Sequence, residues 1–234
     1  MKIRLLSFGP LRSMLPAGGE WREVRAGESV SGLLKDLQAE GRFGTATLRS
    51  AAVAVNQEYA AGAQVLAEGD EVAILPPVSG GTAEAGSAFV AIVQERIETE
   101  AILEQVKAGG DGAVCVFDGI VRNNTRGRQT LHLNYEAYEE MALKQMQTLR
   151  TEAMAKFGVR EVAVVHRLGR LVVGETSVLI AVASAHRGVT FEACRWIIDT
   201  LKKTVPIWKH EQFVDGAVWS DGEPFPEELT GAGR

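Results

Sequence analysis

The sequence predicts an α+β protein built as two compact units joined by a short linker, and three observations carry that reading. Apolar runs with the twofold period of strands alternate with stretches that place apolar residues at helical spacing. They are spread over 234 residues, 46% hydrophobic and 24% charged, which suits one large core or two small ones. Pro76 and Pro77, followed by Gly80 and Gly81, then close the first set of elements. Two consecutive prolines remove two ladder donors, so the chain leaves its sheet as an extended tail. Finally, TAEAGSA is small and polar, the composition of a flexible linker with a reach of about 25 Å. The predicted units are therefore residues 1–81 and 89–234, with 82–88 between them.

In the first unit, IRLLSF has strand length and EWREVRA alternates as a half-buried strand. SVSGLLKDLQAEG sets Val30, Leu33, Leu34 and Leu37 at helical spacing. AAVAVN, a turn near Asn56, and EVAILPPV complete a mixed sheet packed on one helix. The second unit opens from Phe89 with a helix-like stretch, followed by the strands AVCVFDGIVR and TLHLNYEAY. EEMALKQMQTLRTEAMAKFG reads as a long amphipathic helix capped by Gly158. VREVAVVHRLGRL and SVLIAVASAHR are two more strands with the Gly-Glu turn between them. The last helix, TFEACRWIIDTLKKTVP, starts at Thr190 and stops at Pro206, because the residue before a proline disfavours helix. The order helix, two strands, helix, two strands, helix predicts an antiparallel sheet backed by helices.

Composition narrows the function classes. Cys115 and Cys194 are far apart and form no CxxC or CxxH pattern, so neither a disulfide framework nor a zinc site is expected. Both lie in apolar runs that suit buried, inert thiols, and a cytoplasmic protein is expected. No apolar stretch is long enough to cross a bilayer. The N-terminal MKIRLLSFGPLRSM, interrupted by Arg4, Pro10 and Arg12, reads as a strand and not as a signal peptide. The formal net charge of −5 argues against a nucleic-acid coat. Basic residues nevertheless gather at Arg122, Arg126 and Arg128, and again at Arg187, Lys202, Lys203 and Lys209, which suits a local site for a small anion.

Helical spacing puts Phe191, Cys194, Ile198 and Leu201 on one face of the last helix and turns Lys202 away from it. Pro206 then turns the chain. Burial of Ile207 and Trp208 would leave Lys209 on a returning segment, where its ammonium can converge with that of Lys202. Spacing alone favours two solvated surface lysines. Lys203 has Asp199 four residues earlier as an ion-pair partner. In SAHRG an apolar strand ends beside a helix start, which places His186 and Arg187 where anions are favoured. A hydrogen-bonded strand-end histidine fits His186 equally, and His166 in VVHRLG reads as structural. FDGIVRNNTRGR closes another strand with a loop in which Arg122 lies nearest the sheet, while Arg126 and Arg128 are expected in solvent. No Walker loop, dinucleotide fingerprint or serine triad motif is present.

Taken together and in this order, VNQEY, GDEVAILPPVSGG, FDGIVRNN, SAHRG, FEACRWIIDTLKK and PIWKHE resemble molybdopterin synthase across nearly the whole chain. The first unit resembles its small sulfur-carrier subunit, a ubiquitin-like β-grasp protein ending in Gly-Gly. The second resembles its large catalytic subunit. The resemblance implies transfer of two sulfurs to cyclic pyranopterin monophosphate during molybdenum cofactor synthesis. Gly81 would carry the sulfur as a thiocarboxylate loaded by an adenylating partner enzyme. Lys202 and Lys209 would be the catalytic pair, and Arg122, His186 and Arg187 the pterin-phosphate site. Ile120, Val121, His210 and Glu211 would line it. The scheme implies no metal or organic cofactor, no nucleic acid and no membrane, and it implies a homodimer through the C-terminal unit. One feature departs from the family: Gly81 is joined by an amide to Thr82, and an amide cannot be adenylated as a carboxylate. Cleavage between Gly81 and Thr82 resolves this. The alternative is an uncleaved, non-catalytic scaffold that tethers a carrier-like module to a pterin-binding one.

Overall fold

The computed structural model describes residues 1–44, 48, 50–77 and 89–220; the Gly80–Gly81 tail, the 82–88 linker and the site of the expected cut lie outside the described residues. The described residues separate into two compact units, one within Met1–Val78 and one within Ser79–Ser220.

The first unit begins with β1 (Lys2–Ser7), a 3-10 turn over Gly9–Met14, and β2 (Glu20–Glu23). Helix α1 (Val30–Ala39) follows, then β3 (Ala52–Val55), β4 (Glu58–Tyr59) and β5 (Glu71–Leu75). The sheet order is β2-β1-β5-β3-β4, with β1 and β5 parallel and the other pairs antiparallel. Alternate residues Ile3, Leu5, Val53, Val55, Val72 and Ile74 pack with Val30, Leu33 and Leu37 of α1, as strand period two and helix period 3.6 require. Ser29 starts that helix by accepting a 3.1 Å hydrogen bond from the Gly32 amide, a cap worth about 1 kcal/mol. Asn56 and Gln57 both adopt positive φ (51° and 67°), the primed turn that matches the twist of a tight hairpin. A parallel central strand pair, flanking hairpins and a helix laid across the sheet make this unit a ubiquitin-like β-grasp.

The second unit departs from the sequence reading at its start. Val90–Val93 forms a strand, β6, and the first helix, α2, begins only at Thr99 and ends at Val106. Four consecutive apolar residues, two of them β-branched valines flanking Ala91 and Ile92, satisfy a buried strand better than a helix too short to nucleate. Next come β7 (Ala113–Ile120), the two-residue β8 (Asn124–Thr125), β9 (Arg128–Ala137) and α3 (Glu139–Phe157). Gly158 caps α3 with φ +65°, its amide donating to the Met154 carbonyl, as the sequence predicts. The expected single strand after it is two: β10 (Glu161–Arg167) and β11 (Gly169–Val172), broken at Gly169 with φ +69°. Then follow β12 (Thr176–Ser184), α4 (Arg187–Thr204), β13 (Ile207–Phe213) and β14 (Gly216–Trp219).

These strands build two sheets in place of the one expected. The first, β6-β10-β12-β7, is antiparallel apart from the parallel β6–β10 pair. Val162, Val164, Val178, Ile180 and Val182 face the core shared with α3 and α4. Ala163, Ala181 and Ala183 point the other way, toward Val106 and Leu103 of α2. Coverage on both faces explains why SVLIAVAS reads as a continuous apolar run and not an alternating one. The second sheet, β11-β9-β13-β14, carries β8 on β9. The strands β13 and β14 were not expected, because Pro206 ends a helix without revealing that the chain re-enters a sheet one residue later. Among the described residues no helix is long and apolar enough to cross a membrane.

Candidate functional site

Helix α4 and the strands beside it place the predicted site residues. α4 starts at Arg187, not Thr190, with His186 as its extended N-cap, while Thr190 Oγ1 donates back to the Arg187 carbonyl at 2.7 Å. Its buried side is Thr190, Ala193, Cys194, Ile197, Ile198 and Leu201. Phe191, expected on that side, is 60% exposed. Lys202 is exposed as expected. Asp199 pairs with Arg195 at 3.6 Å and not with Lys203.

After α4, Ile207 and Trp208 are buried, at 0% and 1% exposure, and each such side chain contributes about 1.5–3 kcal/mol to holding β13 in place. The Lys209 Nζ is thereby set 2.7 Å from Glu211 Oε1, two residues on and on the same strand face. Glu211 is 2% exposed, and the same oxygen accepts from Ser220 Oγ at 2.5 Å. Burial pushes the Glu211 carboxyl up, but the bonds from Lys209 and Ser220 outweigh it and hold the group below its ordinary range. Oε2 of Glu211 is buried and makes no hydrogen bond. Opposite Lys209 in register stands Tyr135, whose ring meets buried His166 edge-on with centroids 5.1 Å apart. Burial lowers His166 to about 4, so this histidine is neutral and structural, as its sequence context suggested.

Period two corrects two expected lining residues. His210 lies on the opposite face of β13 from Lys209 and Glu211, where its ring packs on Trp219 at 4.9 Å. Val121 is 2% exposed and belongs to the core, whereas its neighbour Ile120 is 57% exposed. Arg128 is not free in solvent: its guanidinium forks onto Asp215, with Nη2 at 2.7 Å, and lies over the Phe213 ring. Arg122, Arg187 and Lys202, in contrast, form no ion pair among the described residues.

The predicted residues fall into two groups at opposite ends of α4. β12 runs from Thr176 to Ser184 and α4 packs back along it, so the Lys202 end of the helix returns to the Thr176 end of the sheet. β7 pairs antiparallel with β12, Ile120 opposite Thr176 and Ala113 opposite Ser184, which brings Arg122 to that same end. Ile120, Arg122 and Lys202 share that end, and Lys209 and Glu211 follow on β13, which begins three residues after α4. His186 and Arg187 sit at the other end, beside Gly112, whose amide donates to the Ser184 carbonyl at 3.1 Å. From Arg187 to Lys202 the helix rises roughly 22 Å at 1.5 Å per residue. Helical side chains lean toward the N-terminus, so the two charged groups keep that separation.

The comparisons with known proteins divide the chain in the same way. The family described as MoaE protein matches residues 92–204, and the ThiS family matches residues 6–81. The molybdopterin synthase catalytic subunit of Pyrococcus abyssi is 39% identical over 140 residues, covering 59% of this chain and 95% of that protein. The chain belongs to the molybdopterin synthase family. It joins a sulfur-carrier-like unit and a catalytic-subunit unit in one polypeptide, and its role lies in molybdenum cofactor biosynthesis. The Bacillus subtilis catalytic subunit is 41% identical, covering 55% of this chain and 82% of its own. The structure of molybdopterin synthase from Staphylococcus aureus is similar with TM-score 0.55 and 40% identity, over 58% of this chain and 98% of that one. A complex of subunits 1 and 2 of molybdopterin-converting factor from Helicobacter pylori matches with TM-score 0.50 and 27% identity, over 61% and 95%.

The cysteines offer one arrangement that sequence separation hid. Cys194 on α4 lies in the core, and Cys115 on β7 packs against that core close enough to act on its thiol. Burial, with Cys115 alongside, pushes the Cys194 thiol up to about 12, so it is no nucleophile at neutral pH.

Proposed function

We propose that this chain is a sulfurtransferase that moves two sulfurs, one from each of two Gly81 thiocarboxylates, onto cyclic pyranopterin monophosphate, forming the dithiolene of molybdopterin. The observation that carries the reading is the set of unpaired cations, Arg122, Arg187 and Lys202, in a unit where Arg128, Arg150, Arg160 and Arg167 are each matched with a carboxylate. Cations left without acidic partners in a protein of net charge −5 are available to an anionic substrate. Lys202 and Lys209 act where charge develops on the departing oxygen, and Arg122, His186 and Arg187 hold the phosphate. Glu211 fixes Lys209 in place.

A pterin is about 10 Å long by its bond lengths, and the ends of α4 are about twice that distance apart. The working site is therefore shared by two copies, His186 and Arg187 of one completing the lysine end of the other. This reading supplies the reason for a homodimer through the second unit. The sulfur-loading enzyme needs a free carboxylate, so the chain is cut between Gly81 and Thr82 before loading.

The deciding experiment incubates the purified chain with host extract, reads fragment masses, and assays molybdopterin formation after thiocarboxylate loading. A fragment ending at Gly81 and activity dependent on it are expected. Full activity from a chain shown to remain uncut would refute the cleavage step. Absence of molybdopterin from a cut and loaded sample would favour the scaffold reading.

A further inference from the structure

At the N-terminal end of α4 lies a pocket of about 330 Å3 lined by Gly112, Ala185, His186, Arg187, Gly188 and Phe191. Three of these six residues carry at most a methyl group, so floor and sides are backbone and the pocket's chemistry comes from three side chains. A Cβ built on Gly112 would stand 2.4 Å from the Ala185 carbonyl oxygen, so that wall cannot be thickened without moving backbone. Arg187 and Phe191 are four residues apart on α4 and project on one face. The tilt of helical side chains toward the N-terminus lays the Phe191 ring over the turn that holds Arg187 and Gly188. The ring is 60% exposed, and no described residue gives it an aromatic or cationic partner. A large apolar ring held in water beside an unpaired guanidinium is a feature that folding does not require.

We propose that Phe191 is a specificity-determining residue of the substrate site: its ring stacks on the flat heterocycle of the pterin while Arg187 and His186 take the phosphate. This deepens the pterin-phosphate reading of the pocket and rests on it. The division of labour follows from the chemistry. An aromatic face recognises a planar heterocycle and is indifferent to inorganic phosphate, whereas a guanidinium recognises both the free anion and the phosphorylated pterin.

The test compares binding of cyclic pyranopterin monophosphate and of inorganic phosphate to the full chain and to three variants, by calorimetry. Phe191→Leu keeps apolar bulk but removes the aromatic face. It is expected to weaken pterin binding roughly tenfold, in the range known for loss of one base–aromatic stack, and to leave phosphate binding unchanged. Phe191→Trp is expected to retain pterin affinity and to report it by quenching of its fluorescence. Arg187→Ala should weaken both ligands. Equal pterin affinity in the wild type and Phe191→Leu, with Arg187→Ala still impaired, would overturn the role of Phe191 and leave the pocket standing. Unchanged binding in Arg187→Ala as well would remove the pocket reading itself. A Phe191→Leu chain that loses phosphate binding or dissociates into monomers on sedimentation would show a structural ring and overturn the proposal.

Discussion

If each site is completed by two copies, defects at the two ends of α4 should complement each other. Take Arg187→Ala, which removes a charge-assisted phosphate contact, and Lys202→Ala, which removes a cation from the reacting end. Loss of such a contact costs about 1.5–3 kcal/mol, and loss of one preorganised group that stabilises developing charge costs about 2.7–4 kcal/mol. Each homodimer should therefore fall about ten- to a thousandfold in conversion of precursor to molybdopterin. In a mixed dimer, one site receives both alanines and the other receives both native residues. Co-expression with two affinity tags isolates that species, and its activity per dimer should be about half that of the wild type. The value follows from the roughly 22 Å between the two residues along one helix, which prevents one chain from presenting both to one small molecule. A mixed dimer no more active than the average of its parents would refute the shared site, and Arg187 would then have no part in the chemistry served by Lys202.

Two further outcomes are expected. Lys209→Ala leaves the Glu211 carboxylate buried without its ammonium, so it should lose activity and also about 1–3 kcal/mol of stability in urea unfolding, whereas exposed Lys202→Ala should unfold like the wild type; equal stability of the two variants would contradict the assigned pair. His166 is held neutral by burial with its pKa lowered to about 4, so the unfolded chain binds a proton that the native one refuses as pH falls from about 6.5 to 4. Stability is complete above that window and should drop by about 3 kcal/mol across it, and a His166→Leu chain that folds should lack this component; identical pH slopes for the two chains would refute it.

Much of the site was legible because it falls where periodicity changes. SAHRG marks the passage from the apolar run of β12 to a helix, and FDGIVRNN marks the end of β7; both transitions fall within the predicted segments, although the helix begins at Arg187 and not Thr190 and the strands stop at Ser184 and Ile120, short of the predicted ends. What was not legible depends on which way a strand faces. His210 and Glu211 are adjacent, and only the existence of β13 decides that Glu211 turns inward with Lys209 while His210 turns outward to Trp219. Pro206 signals the end of α4 and carries no information about the pairing of Ile207 with Ala137 that follows. The same holds for Val121, whose exposure depends on a core assembled from distant segments. The Phe191 assignment failed for another reason. Helical spacing allows a broad apolar stripe, and the packed stripe is centred on Ala193, Ile197 and Leu201, which leaves Phe191 beyond its edge.

Stoichiometry links the fusion to the shared site. One thiocarboxylate carries one sulfur and the dithiolene needs two, so every site must receive two loaded tails for each product. An uncut dimer owns two tails and two sites, each tail bound to its own second unit by the eight residues from Thr82 to Phe89, which span at most about 28 Å. Such tails end in an amide and cannot be loaded, and even a tether that could be loaded would have to bring both tails to one site to finish a single product. Cutting after Gly81 removes that restriction. On this proposal, free carriers would exchange, spent for loaded, while the second units would keep the proposed dimer. On the same proposal, turnover should rise with added loaded carrier in a cut sample. A turnover rate in the cut sample insensitive to added loaded carrier would mean that carriers do not exchange after the cut, and the cut would lose its physical reason.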